Sequence, residues 1–308
     1  MRLTDGRVVL VAGGPGRPPR RRATRPSARV RPGLAGPAYI LVSCASVQTA
    51  AAIATKVFAT FGPAGTGALR FLAAAAVLVG CIRPRVRARP AAFWGLVAGL
   101  GLSTAATNVF LYEAIARIPL GTAGTLVFLG PLALAIAATR RRVDIVWAAA
   151  AAIGVVLLTG ASSDVSVLGV ALALVAAASV AASILMARRL GAHGEGLDGL
   201  TLAIVAAAIL TLPMSATAVV GHASAPALGA FVLVVVVGTL GVAIPYALDF
   251  SALRRVGVKT YGILLSLDPA IAGLVGLAFL GQRLDAPEML GIALVMAASA
   301  GAISSATE

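Results

Sequence analysis

The chain of 308 residues is poor in charge, in acid and in aromatic rings: 12% of it is Asp, Glu, Lys or Arg, only 11 residues are acidic, and 5% are Phe, Trp or Tyr. A soluble domain carries about twice that charge, so a water-facing globule is excluded. Cysteine is scarce as well. Cys44 and Cys81 fall in apolar stretches without metal or redox spacing, and they read as small buried hydrophobes. The two histidines, His193 and His222, fall in loops on opposite predicted sides, so no zinc centre can be built from them. No metal and no cofactor is expected. A Gly-x-x-x-x-Gly-Lys-Ser/Thr run is also lacking, which excludes ATP hydrolysis within this chain.

What is present is apolar length. Hydrophobic residues make up 59% of the chain, and from Pro37 to Ser305 they form a nearly unbroken series of segments with short polar breaks. A bilayer core about 30 Å thick takes about 20 helical residues to cross. Strands would show alternation, and lipid-exposed backbone must satisfy its own hydrogen bonds, which leaves helix. The pattern predicts an all-α membrane protein with ten spans, near 37–60, 65–82, 91–116, 120–139, 143–160, 167–187, 197–219, 227–253, 258–280 and 287–304.

The net charge of +14 is distributed in a way that excludes nucleic acid as the reason for it. Nine of the 25 basic residues precede Pro32, and most others occupy alternate loops: Arg83 to Arg89, Arg140 to Arg142, Arg188 and Arg189, then Arg254, Arg255 and Lys259. The intervening loops hold Arg117 and Arg283. By the positive-inside rule both termini are expected in the cytoplasm. The Arg/Pro-rich segment 1–36 has no apolar run long enough for a signal peptide. It reads as a disordered cytoplasmic tail or an over-extended gene start, with contact to anionic lipid as the other reading.

The chain repeats itself. A gapless shift of 138 positions aligns Ala114, Arg117, Thr122, Gly124, Leu126, Leu129 and Pro131 with Ala252, Arg255, Thr260, Gly262, Leu264, Leu267 and Pro269. Repeats at 37–160 and 166–305 would each hold five spans, an odd number, so the second must enter the membrane inverted. Secondary transporters use this arrangement, with substrate bound near the midplane between repeats. Proline within a helix removes a donor and clashes one turn back, so Pro131 and Pro269 are expected to kink spans four and nine, and Pro245 span eight. Such kinks serve as hinges or expose carbonyls; packing alone is the other reading.

The run from Asn108 through Tyr112, Glu113 and Gly124 to Pro131, followed by Arg140 to Trp147, resembles the EamA-type drug/metabolite transporters, and within them the threonine/homoserine exporter subfamily. Ser46-Val-Gln48, Leu69-Arg70, Pro245-Tyr246 and Ser266-Leu-Asp268-Pro269 are similar too. The resemblance spans about Ala38 to Ser304. It implies ten helices in two repeats and export of amino acids or related metabolites across the inner membrane. The chain departs from the family in carrying Gln282 after Gly281 where Glu is common, Asp268 where the exporters have Glu, and no aromatic residue around Ser179 to Ser183.

Ionisable groups inside a membrane are costly unless they meet water or a partner, so each is a candidate. Asp268, about ten residues into span nine, lies near the midplane at about 1.5 Å of rise per residue and is the leading candidate for a proton or substrate carboxylate. Gln48 and Asn108 offer neutral amides for substrate, with interhelical bonding as the alternative. Glu113 is either a site residue or the partner of Arg117 one turn on. Asp249 is either a gate or an interfacial acid, and Tyr246 joins it as a candidate. Lys56 and Arg70 are expected to snorkel toward headgroups, with anion attraction the second reading for Arg70. Gly124 and Gly262 sit beside the expected kinks.

Together these features predict a secondary exporter working by alternating access, coupled to protons, embedded in the inner membrane as a monomer or homodimer, with small-molecule substrate and no nucleic-acid partner. An uptake permease or multidrug exporter of the same fold is the alternative. A membrane-embedded enzyme would need a nucleophile with its base, or a metal set, and the chain offers neither pattern.

Overall fold

The computed structural model describes residues 35–86, 89–139, 142–160, 166–192, 196–220, 227–253, 255–256 and 258–305. Nearly all of the basic tail, and both histidines, lie outside them. Among the described residues the chain is helical without strands. Five helices come first: α1 (Ala35–Thr55), α2 (Phe58–Ile82), α3 (Ala91–Ile115), α4 (Leu120–Thr139) and α5 (Arg142–Gly160). They are followed by α6 (Val167–Ala192) and by α7 (Gly196–Leu210) and α8 (Leu212–Val220), which are bent by 48° at their junction. Then α9 (Ala227–Gly238) passes through a π-helix at Thr239–Ala243 into α10 (Ile244–Leu253). Two short helices, α11 (Val258–Leu265) and α12 (Asp268–Leu280), precede α13 (Ala286–Ser305).

Among the described residues, seven helical stretches are long and apolar enough to cross a membrane, or eight with the α7–α8 pair. The expected ten exceed this count. In α4 and α5 the described apolar stretches, Leu120–Leu134 and Ile145–Leu158, stop short of the charged junction at Arg140 to Asp144. The first two boundaries also move. Instead of a break at 61–64, the chain turns at Lys56 and Val57, and α2 runs on through a kink at Gly62, whose φ of 68° suits only glycine without strain. Pro63 then opens the main body of α2, where its missing N–H costs nothing.

Local chemistry explains other ends. Pro90, extended with φ of −64° and ψ of 152°, precedes α3, where its missing N–H takes no donor from the helix ladder. At α13, Glu288 makes the backward half of a capping box: its carboxylate accepts from the Asp285 N–H at 2.9 Å, while the Asp285 carbonyl accepts the helix's first bond from Met289 N–H at 3.0 Å.

Helices pack through small residues. The main core gathers Ala50, Ala54, Ala114, Ala123 and Ala272 around Tyr112 and Leu126. Between α5 and α13, a Cβ on Gly154 would lie 2.8 Å from the Gly291 carbonyl, so the two backbones touch as only small residues allow. The outer surface is apolar, with Leu102, Ile145, Val156, Val167, Leu228 and Leu274 all exposed, while Gln48, Arg70 and Asn108 are buried. That inversion of the soluble pattern is what a bilayer demands. Cys44 is buried as expected, but Cys81 is exposed near the end of α2, on the apolar outside.

Packing pairs are also regular. Helix α3 lies on α6, and α1 on α10; α4 lies on α6, and α1 on α12; α5 lies on α13, α4 on α12, and α2 on α7.

Candidate functional site

Two helices are interrupted near the candidate residues. Between α11 and α12 the chain breaks at Ser266 and Leu267, and Asp268 with Pro269 opens α12. Proline is accommodated in a first turn, so Pro269 sits where helix restarts inside the stretch Thr260–Leu280, which has the length of a single span. Pro245 lies two residues past the end of the π-helix. There the Ile244 N–H bonds to the Thr239 carbonyl, five residues back. The next bond in that register would come from Pro245, which has no N–H; its acceptor, the Leu240 carbonyl, instead receives the Ser46 hydroxyl at 2.6 Å. At Pro131, by contrast, α4 continues as helix without a break.

Between these helices lies a cavity of about 310 Å³. Gln48, Arg70, Tyr112 and Asp268 give it its polar wall, while Gly124 and Pro131 of α4 lie along another part of the lining. The Gln48 side-chain amide donates to Asp268 Oδ2 at 2.8 Å, joining α1 to α12. Gly124 makes room for this contact: a Cβ there would sit 3.0 Å from Ala272 Cβ and 4.0 Å from Gln48 Nε2.

Arg70 stands near the middle of α2, because that helix starts earlier than expected. It does not snorkel. Only 6% exposed, its guanidinium donates to the Tyr112 hydroxyl and to Asn108 Oδ1. Its charge also stands 4.9 Å from the Tyr112 ring centroid and 5.7 Å from that of Phe71. Asn108 is held in turn by its Nδ2, which donates to the Thr104 carbonyl at 3.0 Å. Among the described residues no carboxylate forms an ion pair with Arg70, and its buried Nε has no hydrogen-bond partner.

Other candidates lie apart from the cavity. Asn108 is behind Arg70 and acts on it, not on the cavity. Glu113 pairs with Arg117 at 2.6 Å and accepts the Ala64 N–H at 3.2 Å, so it caps the body of α2 below Pro63. Asp249 interacts with the Ser43 and Tyr261 hydroxyls, while its Oδ1 is buried without a partner. Tyr246 packs against the cluster of Phe71, Ala74 and Val242. Gly262 faces Ile303 of α13. Lys56 is exposed in the α1–α2 turn. Gln282, the departure from the family pattern, offers Oε1 to the Leu120 N–H at 3.0 Å and so caps α4 with a neutral amide.

Tyr112 was not singled out from the sequence, although it lies one helical turn after Asn108, the spacing at which two side chains share a face. Among the described residues, no group of His, Cys, Asp and Glu is placed to hold a metal ion.

The EamA-like transporter family model matches residues 167–304. The threonine/homoserine exporter RhtA of Salmonella typhimurium (strain SL1344) is 34% identical over 277 residues, covering 85% of this chain and 89% of that protein. Its namesake in Escherichia coli (strain K12) is 35% identical over the same shares. A solved crystal structure, 22% identical, aligns with a TM-score of 0.59 over 89% of this chain and 98% of its own, a likeness of fold. The relatives of known role are thus membrane transporters, matched over most of both sequences, and the chain belongs to the EamA-like transporter family, on the branch of the drug/metabolite transporter superfamily that includes the RhtA proteins.

Proposed function

We propose that this integral membrane protein is a secondary active exporter of small amino acids or closely related metabolites, of the threonine and homoserine kind, driven by proton antiport through alternating access. The observation that carries this reading is the cavity in which Asp268 and Gln48 meet the buried Arg70. Asp268 is a carboxylate with a neutral hydrogen-bond partner at the restart of a broken helix, the kind of acid that can exchange a proton for a cationic substrate group. The names of the relatives support amino-acid export, and transport rather than catalysis is the role common to the family.

On this reading the chain makes ten spans in two inverted repeats with both termini in the cytoplasm. Exchange symmetry in the packing supports it. If α1 corresponds to α6, α2 to α7–α8, α3 to α9–α10, α4 to α11–α12 and α5 to α13, a twofold axis in the membrane exchanges the α3–α6 contact with α1–α10 and the α4–α6 contact with α1–α12. The contacts of α5 with α13, α4 with α12 and α2 with α7 map onto themselves. The cavity then sits on the pseudo-axis, beside the α4–α12 crossing, with Pro131 and Pro269 as equivalent points around which the repeats rock.

The test is uptake of labelled threonine and homoserine by inside-out vesicles under an imposed pH gradient, with the native protein and Asp268→Asn. Gradient-driven uptake that the variant loses is the expected result. Folded, inserted native protein that takes up neither amino acid would remove both substrates; uptake unaffected by the gradient or by the variant would remove Asp268 as the coupling group.

A further inference from the structure

A guanidinium withdrawn from water costs several kcal/mol unless it is paired and hydrogen-bonded, and the cost in a membrane interior is of the same kind. Arg70 is 6% exposed and faces the cavity with neutral partners only. Two of its N–H donors are engaged, by Tyr112 and Asn108, and Nε is not. The partners are arranged for more than neutral support. Asn108 has its amide orientation fixed by the Thr104 carbonyl, so its oxygen is committed to Arg70. The Tyr112 hydroxyl accepts from Arg70, which leaves its own proton to donate elsewhere, and Tyr112 lines the cavity. The π-helix closes the other side: a Cβ on Gly241 would lie 3.2 Å from Arg70 Nη1, so the guanidinium is held with little freedom to swing.

Resting on the exporter reading above, we propose that Arg70 and Tyr112 form the receptor for the carboxylate of a zwitterionic substrate, with Asn108 as positioning residue, and that Asp268 and Gln48 receive its ammonium in the same cavity. The substrate class is therefore the free α-amino acid with both charged groups intact. An arriving carboxylate supplies the countercharge that Arg70 lacks, and the planar fork of a guanidinium suits a carboxylate's paired oxygens. Amines without an acid group, the lipophilic cations among them, leave the Arg70 charge uncompensated. The rest of the lining, including Val47, Val127, Phe128 and Leu265, is apolar and sets room for a short side chain.

The experiment is counterflow of labelled threonine in liposomes containing the full chain, with competition by threonine, threoninamide, which lacks the acid, and 2,3-dihydroxybutyrate, which lacks the amine. For the native protein the amide is expected to compete at least about tenfold more weakly than threonine, since losing a hydrogen bond to a charged group removes about that factor in affinity. In Arg70→Gln this ratio should fall to about one, and Arg70→Lys should restore part of it. An unchanged ratio in Arg70→Gln overturns the assignment. Should Arg70→Gln not fold, the native ratio and Arg70→Lys decide, and native protein that competes equally with amide and acid overturns it as well. Failure of the exporter reading is told apart by binding: thermal unfolding of the detergent-solubilised chain is followed with a panel of small carboxylates and amines. Native protein that transports no amino acid but is stabilised by carboxylates, an effect lost in Arg70→Gln, keeps the carboxylate receptor and discards the amino acid. Stabilisation by no carboxylate discards both.

Discussion

Gln48 and Asp268, 220 positions apart in sequence, are joined by a 2.8 Å hydrogen bond between α1 and the first turn of α12. The amide fixes the carboxylate's place in the cavity. Replacing Gln48 by Leu removes the donor, and because hydrogen bonds to charged groups contribute about 1.5–3 kcal/mol, apparent substrate affinity should fall by about ten- to a hundredfold. Gln48→Glu should be worse, since two carboxylates would then share the site. Transport kinetics in proteoliposomes check this, and Gln48→Leu with native affinity would show the bond to be structural only.

Ser46 and Pro245 make a coupled pair. The Ser46 hydroxyl bonds to the Leu240 carbonyl, the acceptor that Pro245 cannot serve in the π-helical register. Ser46→Ala leaves that part-buried carbonyl without this donor, a cost of up to about 1–3 kcal/mol. In a Pro245→Ala background the new N–H supplies the missing donor, so the same Ser46→Ala change should cost much less. A double-mutant cycle on thermal unfolding in detergent measures the coupling. Equal effects in both backgrounds would show that the hydroxyl does not serve this carbonyl.

Much of the helical pattern was legible because a bilayer forces apolar runs of spanning length, and nothing in water could explain 59% hydrophobic residues at this charge. Asp268, Gln48, Gly124 and Pro131 were legible as polar or special residues within such runs, and the cavity brings them together. What the pattern hid was fine register. A break at the Gly62–Pro63 pair looked like a loop, so Arg70 seemed close to the membrane edge when it lies mid-helix and buried. Glu113 looked like one half of an ion pair, while its second role, capping the restart of α2, depends on a contact 49 positions away. The π-helix carries no periodic signal at all, since it inserts a residue without changing composition.

Glu113 separates these two roles by experiment. Its ion pair with Arg117 has side chains 23% and 35% exposed, and such pairs contribute at most about 1 kcal/mol. Glu113→Gln loses the pair but keeps an oxygen for the Ala64 N–H, so its midpoint of unfolding should change little. Glu113→Ala loses both and should cost about 1–2 kcal/mol more, the usual effect of removing a helix cap. A Gln variant as unstable as the Ala variant would assign the stability to the ion pair.

Helix contact at Gly154 and Gly291 admits a sharper test. A methyl on Gly154 would stand 2.8 Å from the Gly291 carbonyl and 2.9 Å from Val295 Cγ2, so α5 and α13 must move apart to take it. Overpacking of this kind typically costs about 1–3 kcal/mol. Gly80, in α2, is the control: nothing lies within 4 Å of a Cβ built there, and its replacement by Ala gains helix propensity of about 0.5–1 kcal/mol. The two substitutions are chemically identical and both lie inside apolar helices, so a difference in propensity or in lipid exposure of one methyl cannot give them opposite signs. Only the facing backbone can. Thermal unfolding in one detergent should therefore move down for Gly154→Ala and up or not at all for Gly80→Ala, and a Gly154→Ala protein as stable as the native would mean that α5 and α13 do not approach as closely as their paired glycines permit.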